Sequence, residues 1–234
     1  MSFAEPAFSP IQGPTLDRMA TADRYNHWLL NRAKPFLGRR VLDVGAGVGV
    51  FTGVLADRRD VLALEPDPNL FPILRRRFSN HRNVTVRQAG IEDMADGGGF
   101  DAVVCFNVLE HIADDASALA KFAGSLREGG RLLLLVPAHP LLFGPLDRAL
   151  HHERRYRKEE LRTLLQAAGF VPEALRYVNP VGAVGWFISG RVLRRAQLDV
   201  QSLRLFDLLV PALRTCDRIR VPFGLSIWAV GRRA

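Results

Sequence analysis

Three of the six histidines follow or adjoin apolar segments and could serve as general bases. His111 and His139 each come soon after a predicted buried strand, and His152 lies in the loop that continues from the second of these strands. An imidazole titrates near neutral pH and can remove a proton from a nucleophile. We therefore predict these three histidines as catalytic candidates, with packing at the start of a helix as the competing interpretation for His111.

Basic and aromatic side chains next to His152 could bind an anionic group of a substrate. Arg154, Arg155 and Tyr156 follow it, and guanidinium groups bind phosphate or carboxylate through paired hydrogen bonds. The alternative is that these side chains are only solvated ahead of a helix. The His-His-Glu triple at 151–153 could ligate a metal ion, but adjacent residues rarely point toward one ion, and we predict no metal site.

A glycine-rich turn near the start of the chain would hold a cofactor beside these groups. Residues 41–44 form a short apolar run, Gly45, Gly47 and Gly49 follow at alternate positions, and a helix is predicted from Val50. Glycines allow positive φ and close approach of a ligand. Free N–H groups and the positive end of a helix dipole would meet here. This pattern predicts a nucleotide-type site at the carboxyl edge of a parallel sheet.

Two acidic residues lie where they could contact a cofactor, and one of them restricts its type. The G-x-G-x-G spacing departs from the dinucleotide fingerprint G-x-G-x-x-G, and Asp43 directly precedes the turn, where a carboxylate would repel a pyrophosphate but suit a sulfonium ligand. Glu65 ends the next predicted strand, at about the distance along the chain from which a carboxylate reaches a ribose diol. Glu65 fits S-adenosylmethionine and NAD equally well.

The motif D-x-G-x-G-x-G at 43–49 and the motif F-D-x-V…L-E-H-I at 100–112 resemble those of the class I S-adenosylmethionine methyltransferases. The resemblance implies a Rossmann-like α/β fold, with a seven-stranded, mostly parallel sheet, an antiparallel last strand and helices on both faces. It also implies S-adenosylmethionine as cofactor and S-adenosylhomocysteine as product. The cofactor-binding residues that it implies are Tyr25, Asp43, Gly45, Ala46, Gly47, Glu65, Pro66, Gly90, Ile91, Glu92, Asn107 and Val108.

The sequence departs from the family pattern in the loop that binds adenine. The usual acidic position falls on Gly90, and Glu92 or Asp93 would have to replace it. Near the N-terminus, Tyr25 and Trp28 lie on a predicted helix that would cover the cofactor pocket in this family, or would simply pack on the sheet. The tetrad Asn/Asp-Pro-Pro-aromatic of enzymes that methylate nucleic-acid amines is missing after position 106, which disfavours a nucleic-acid acceptor.

The sequences V-P-A-H-P at 136–140 and H-x-R-R-Y at 152–156 resemble one bacterial branch of these methyltransferases, often encoded near, or fused to, enzymes of glycan or lipid-linked sugar assembly. The resemblance implies a small-molecule acceptor, such as a sugar, a lipid-linked group or a natural product, methylated at O, N or C. These motifs indicate the branch without identifying the acceptor.

The hydropathy pattern predicts the elements that position these residues within one domain, 1–234, after a flexible N-terminus at 1–16. The predicted strands are 41–44, 61–64, 83–88, 100–106, 131–136, 170–178 and 225–230. The predicted helices include 17–36, 113–127 with a glycine cap at 129–130, and 158–168. A helical insert or lid is predicted at 179–223, with Trp186 as a substrate contact. The competing interpretations of this insert are a cap packed on the sheet or a homodimer face.

Charge and composition bear on localisation and partners. The net charge is +8, and from Arg176 to the end ten arginines and three aspartates give +7. An arginine-rich composition explains this excess, but so would contact with lipid head groups at a membrane surface. Two cysteines, no signal peptide and no apolar stretch long enough to cross a bilayer predict a cytoplasmic protein.

Three other functions remain open at this level. A NAD(P)-dependent oxidoreductase would use the same kind of turn and is disfavoured by Asp43 and by the glycine spacing. A non-catalytic S-adenosylmethionine-binding protein at a membrane surface would keep the cofactor motifs and use the basic C-terminal part. An RNA methyltransferase is supported by the positive charge alone.

Overall fold

Seven strands form one sheet in the computed structural model, which describes residues 22–188, 207, 208, 210 and 222–234. The strands are β1 Arg40–Val44, β2 Asp60–Leu64, β3 Val84–Arg87, β4 Phe100–Phe106, β5 Leu126–Pro137, β6 Phe170–Val178 and β7 Ser226–Arg233. The helices are α1 Asp23–Ala33, α2 Val50–Leu55, α3 Phe71–Arg77, α4 Asp115–Ser125, α5 Pro145–Ala149, α6 Lys158–Ala167 and α7 Pro180–Phe187. Short 3₁₀ turns cover Lys34–Phe36, Leu109–His111 and Pro140–Leu142.

The strand order is β3-β2-β1-β4-β5-β7-β6. Strands β1 to β5 pair in parallel, and β7 runs antiparallel to both of its neighbours, β5 and β6. The predicted fold class is thus confirmed. The order reverses between β1 and β4, and in open α/β sheets a ligand binds at the carboxyl ends of the strands at such a point.

Alternating side chains along the strands supply two hydrophobic cores, one on each face of the sheet. Val41 and Ala63 belong to the core that includes Leu29 of α1 and Leu74 of α3. Their neighbours along the strands, such as Leu42, face the other core, which α4 and α6 cover. Because both faces are buried, the central strands are continuously apolar.

Helix α4 and strand β5 meet earlier in the chain than the sequence predicted. The side chain of Asp114 accepts a hydrogen bond from Ser117 N at 2.9 Å, so the helix starts after this cap and ends at Ser125. The predicted glycine cap at 129–130 is wrong, because both glycines lie within β5. At Gly130 a Cβ would come within 3.1 Å of Phe100 O, so glycine permits the close approach of β5 to β4.

Asp101, the acid of the F-D motif, stabilises the end of the sheet that lies opposite the carboxyl ends of the parallel strands. Its carboxylate accepts hydrogen bonds from the backbone N–H groups of Arg39 and Arg40, both at 2.8 Å, and from Arg127 at 2.6 Å. These bonds, led by the one from Arg40, hold the pKa of Asp101 below its ordinary value. The residue therefore stabilises the start of β1, far from the ligand-binding edge.

Some predictions fall outside the described residues. The N-terminus at 1–16 and the first residues of the helix predicted at 17–36 are among them, and the described part of that helix is α1. Of the insert predicted at 179–223, the structure describes α7, which begins after Asn179, together with residues 188, 207, 208, 210, 222 and 223. In the part of the chain that is described, no helix is both long enough and apolar enough to cross a membrane.

Candidate active site

The glycine turn between β1 and α2 exposes backbone toward an open space. Gly45, Gly47 and Gly49 have φ values of 67°, 57° and 84°, in the region that favours glycine. A Cβ at Gly45 would overlap Val108, and one at Gly49 would overlap Phe78, whereas a Cβ at Gly47 would find no atom within 4 Å. The first and third glycines are thus required by packing, and the second leaves room for a ligand.

Glu65, at the end of β2, holds this turn in place. Its two carboxylate oxygens accept hydrogen bonds from Gly47 N at 2.7 Å and from Asp67 N at 2.9 Å. Burial raises the pKa of Glu65, and these two bonds oppose the shift. The carboxylate therefore lies directly beside the open glycine, and Pro66 is exposed next to it. That Glu65 binds a ribose stays a prediction.

Asp43 is buried in β1 beneath the turn and accepts a hydrogen bond from Thr52 Oγ1 at 2.6 Å. Burial raises the pKa of Asp43 to about 7. Its observed contact is therefore with the first turn of α2, and Thr52 is a site residue that the sequence analysis missed. A hydroxyl residue within an otherwise apolar helix, one turn beyond the glycines, is the sequence signal that could have identified it.

The loop after β3 contains the position where the family pattern places an acid. Gly90 N donates a hydrogen bond to Asp93 Oδ2 at 3.0 Å. A side chain at position 90 would collide with the carboxylate of Glu92, so Glu92 fills the space that an acid at position 90 would occupy. Ile91 is buried between them. This geometry favours Glu92 as the replacement.

The other predicted cofactor-binding residues lie in the turn itself, just after β4 and on α1. Ala46 donates its N–H to Leu64 O at 2.9 Å, and Asn107, with φ of 54°, donates its own to Leu135 O at 2.8 Å. Val108 covers Gly45. Tyr25 lies within the core on the α1 side, with its ring centroid 5.5 Å from that of Trp28. Whether Tyr25 contacts a cofactor stays a prediction.

The loop from 151 to 156 is fastened to the end of β4. Glu153 N donates to Glu110 O at 2.8 Å, and the His111 and His152 rings meet edge to face with centroids 4.8 Å apart. His152 Nδ1 lies 3.0 Å from Asp147 Oδ1. Partial removal from water, together with repulsion from His152, lowers the pKa of His111. Two of the predicted histidines thus lie together, and His111 is neutral at pH 7.

Arg154, Arg155 and Tyr156 contact groups within the protein. Arg154 pairs with Asp115 at 3.0 Å, and Tyr156 donates its hydroxyl to the same carboxylate at 2.9 Å. The buried Arg155 donates to the buried Asp147 at 2.7 Å. These bonds hold the loop in place, and a role of the three side chains in binding an acceptor stays a prediction.

His139 lies where β5 leaves the sheet, apart from the other two histidines. Its backbone adopts φ 59°, and its ring stacks on Tyr177 with centroids 4.7 Å apart and planes inclined by 17°. Its Nε2 is buried and has no hydrogen-bond partner among the described residues. Desolvation and the positive charge of Arg155 lower its pKa. Trp186 of α7 lies nearby, with its ring centroid 4.6 Å from the Arg155 guanidinium carbon.

Comparison with known proteins shows the family to which the chain belongs. A family model described as a methyltransferase domain matches residues 18–175. The chain belongs to this family. It matches the ubiquinone biosynthesis O-methyltransferase of Acinetobacter baumannii (strain ACICU) with 32% identity over 111 residues, which is 45% of this chain and 47% of that protein. The chain therefore matches about half the length of this curated relative.

Solved structures of methyltransferases share the fold. An S-adenosylmethionine-dependent methyltransferase from Thermotoga maritima superposes with a TM-score of 0.65 at 16% identity, covering 94% of this chain and 96% of that one. The 1,6-didemethyltoxoflavin-N1-methyltransferase of Burkholderia thailandensis, bound to S-adenosylhomocysteine, gives a TM-score of 0.56 at 21% identity, covering 93% and 78%. The methyltransferase family assignment sets aside the alternative of a NAD(P)-dependent oxidoreductase.

S-adenosylmethionine is the cofactor of this methyltransferase domain, and the residues present fit it. The open space at Gly47 accepts a ligand against bare backbone, and the buried Glu65 carboxylate beside it suits the ribose hydroxyls. Three further site residues were not assigned from the sequence: Asp147, Glu110 and Tyr177. Glu110 stands in the L-E-H-I motif at 109–112. Asp147 lies between the motifs at 136–140 and 152–156, and Tyr177 reaches His139 from β6.

Proposed function

We propose that this protein transfers a methyl group from S-adenosylmethionine to an oxygen atom of a small-molecule acceptor, with His139 as the general base. The observation that carries the proposal is the buried, unpartnered Nε2 of His139 at the ligand-binding edge of the sheet. When bound, S-adenosylmethionine supplies a methyl group on a cationic sulfur. The chain has to supply a dry pocket, an oriented acceptor and a place for the acceptor's proton.

The surroundings of His139 suit a base that is neutral at pH 7. Its pKa is lowered because the ring is withdrawn from water and lies near Arg155. The stack on Tyr177 fixes the plane of the ring, and the positive φ fixes the backbone that carries it. A non-glycine residue in this backbone region costs about 1–3 kcal/mol, and such strain concentrates at functional sites.

The names of the relatives support oxygen as the acceptor atom. The curated protein of Acinetobacter baumannii is an O-methyltransferase of ubiquinone biosynthesis, as is a second relative from Xanthomonas axonopodis pv. citri, 36% identical over 101 residues. A hydroxyl must lose its proton during transfer, and a neutral imidazole performs this step near pH 7. We therefore place hydroxyl acceptors ahead of amine or carbon acceptors.

An apolar acceptor, such as a lipid-linked group or an apolar natural product, is favoured over a free sugar. Val181, Val184, Phe187 and Ile188, on and just after α7, are between 42% and 53% exposed. Trp186 of the same helix reaches Arg155 near His139. The helix thus connects the proposed base with an exposed apolar surface. Desolvating that surface would favour an apolar part of the acceptor by about 25 cal/mol for each Å² buried.

Methyl transfer is tested with methyl-labelled S-adenosylmethionine and a cell extract, partitioned between organic solvent and water. We expect the label in the organic phase, as the methyl group of an ether. Ether-cleaving chemistry should release this labelled methyl group. Label in water-soluble products would refute the apolar acceptor, and label on nitrogen or carbon would refute the oxygen acceptor. With the labelled acceptor isolated, its rate of methylation becomes the assay for variants.

The base is tested by His139→Ala, with His27→Ala as a matched control because His27 is an exposed histidine on α1. We expect kcat to fall roughly 10²–10⁴-fold in His139→Ala, with unchanged affinity for S-adenosylhomocysteine, and His27→Ala to keep the wild-type rate. Wild-type kcat should persist to a pH below the ordinary histidine pKa, because the pKa of His139 is lowered. A fully active His139→Ala variant would refute the assignment.

A further inference from the structure

Glu110, His111 and His152 converge at the end of β4, and the proposed reaction uses none of them. One donor atom from each lies within 4.8 Å of the donor atoms of the other two. Hydrogen bonds hold the two segments together, from Glu153 N to Glu110 O at 2.8 Å and between His111 Nδ1 and His151 O at 3.3 Å. The cluster is therefore a product of tertiary structure, built from residues about 40 positions apart.

One side-chain oxygen of Glu110, in this cluster, lacks a hydrogen-bond partner among the described residues. The residue is 1% exposed, and its Oε2 is buried without a hydrogen-bond partner among the described residues. A buried carboxylate oxygen left without a partner costs free energy, so each such atom calls for an explanation. A positively charged ligand between the carboxylate and the two imidazoles would satisfy it.

We propose that Glu110, His111 and His152 bind a divalent cation through one carboxylate oxygen and two imidazole nitrogens. Two histidines and one carboxylate, with further positions open, are a donor set for Zn²⁺ or another borderline first-row cation such as Mn²⁺ or Fe²⁺. This site differs from the adjacent triple at 151–153 that was considered from the sequence, because it shares only His152 with that triple.

A second layer of contacts orients His152 as a ligand. Its Nδ1 lies 3.0 Å from Asp147 Oδ1, which leaves Nε2 for the cation. A carboxylate that accepts the other ring N–H is the usual support of a metal-binding histidine. Asp147 is itself fully buried and accepts a hydrogen bond from Arg155 at 2.7 Å.

The cluster needs only a small adjustment to bind an ion. Donors around a tetrahedral zinc ion lie roughly 3.4 Å apart, given Zn–N distances of about 2.0–2.1 Å. His111 is exposed on one side, so its ring can rotate to shorten the present separations. Val108, which covers Gly45 of the cofactor turn, lies two residues before Glu110. An open coordination position would thus be close to the cofactor and could hold an oxygen atom of the acceptor, a role that rests on the proposed function.

Metal binding is measured on the full-length protein without an affinity tag, after dialysis against a chelator. Titration with Co²⁺ is followed by visible absorption, and titration with Zn²⁺ by calorimetry. We expect one equivalent to bind, and the affinity to fall roughly tenfold or more in Glu110→Gln and in His111→Ala, since loss of a supporting residue alone costs 10–100-fold. His27→Ala, which removes an exposed histidine on α1, should bind the metals like the wild type.

Thermal unfolding and S-adenosylhomocysteine binding, measured on the same variants, confirm that they are folded. The inference is overturned if wild type binds no stoichiometric metal, or if folded Glu110→Gln and His111→Ala bind Zn²⁺ as wild type does. Methyl transfer by a wild-type protein that binds no stoichiometric metal in either titration would refute the metal site and leave the proposed function. Stoichiometric metal binding without methyl transfer to any acceptor would refute the proposed function and leave the metal site.

Discussion

The pair Gly45→Ala and Gly47→Ala separates the two tasks of the cofactor turn. Both residues have positive φ, of 67° and 57°, so alanine would strain the backbone similarly at either position. At Gly45 the new methyl group would overlap Val108 Cγ2 and lie 3.0 Å from Val108 Cγ1, whereas at Gly47 it would meet nothing within 4 Å. The two variants share the backbone strain and differ in the overlap.

The expected magnitudes follow from these contacts. Placing alanine in the left-handed region costs about 1–2 kcal/mol, and forcing a methyl group into a filled site adds about 1–3 kcal/mol. We therefore expect the free energy of unfolding to fall by about 1–2 kcal/mol in Gly47→Ala and by about 2–5 kcal/mol in Gly45→Ala. The Gly47 methyl group would instead occupy the space left for the cofactor and weaken its binding.

Urea unfolding gives the free energies, and calorimetry gives the affinity for S-adenosylhomocysteine. Gly47→Ala should lose roughly tenfold or more in affinity, or about 1.4 kcal/mol, while its free energy of unfolding falls only by the about 1–2 kcal/mol of backbone strain. Equal destabilisation of the two variants would refute the packing argument at Gly45. A Gly47→Ala protein that binds S-adenosylhomocysteine like the wild type would refute the assignment of the open space to the cofactor.

Three further predictions concern buried charged groups. Burial raises the pKa of Asp43 from 3.8 to about 7, so between these pH values the native state holds a proton that the unfolded chain has lost. The free energy of unfolding of the wild type, relative to that of Asp43→Asn, should therefore fall as the pH rises through this window. Urea unfolding should show a fall of up to about 4 kcal/mol. Glu65→Gln should weaken S-adenosylhomocysteine binding roughly tenfold in calorimetry, because the carboxamide no longer accepts through both oxygens and the Gly47 contact weakens. Arg155→Ala leaves the buried Asp147 without its guanidinium partner and should lower the free energy of unfolding by about 3–5 kcal/mol.

Each of these three has an outcome that would contradict it. A stability difference between wild type and Asp43→Asn that does not vary with pH would mean that the native carboxyl titrates normally. Unchanged affinity in Glu65→Gln would remove this residue from the cofactor site. A loss below about 1 kcal/mol in Arg155→Ala would show that His152 and the Gly144 N–H satisfy Asp147 without the guanidinium.

Local sequence was sufficient for most of the fold. The strands β1, β2 and β4 lie at their predicted places, because an apolar run between turn residues predicts a strand buried on both faces. Strand β6 also lies at its predicted place, but it is an edge strand and most of its residues are exposed or half-buried. The junction of α4 and β5 was predicted wrongly, since the glycines at 129–130 look like a helix cap. Gly130 instead lies in β5, where a Cβ would come within 3.1 Å of Phe100 O on β4, and this contact joins residues that are distant in sequence.

The cofactor side of the site could also be anticipated, because its parts follow each other closely along the chain. The turn from Gly45 to Gly49 is local, and Glu65 reaches Gly47 across one parallel strand pair with a regular register. The acceptor side was anticipated only as a set of histidines. Which of them meet, and which stands alone, depends on how two loops fold over one edge of the sheet.

The sequence by itself determined the succession of strands and helices along the chain, the glycine turn and the acids that suit a methyltransferase cofactor. Only the tertiary structure decided that His139 stacks on Tyr177 with its Nε2 unpartnered, and that His152 lies against His111 and Glu110. The physical reason is the range of the interactions. Hydrophobic periodicity and turn geometry act over a few residues, whereas hydrogen bonds and ring contacts at the sheet edge join residues about 40 positions apart.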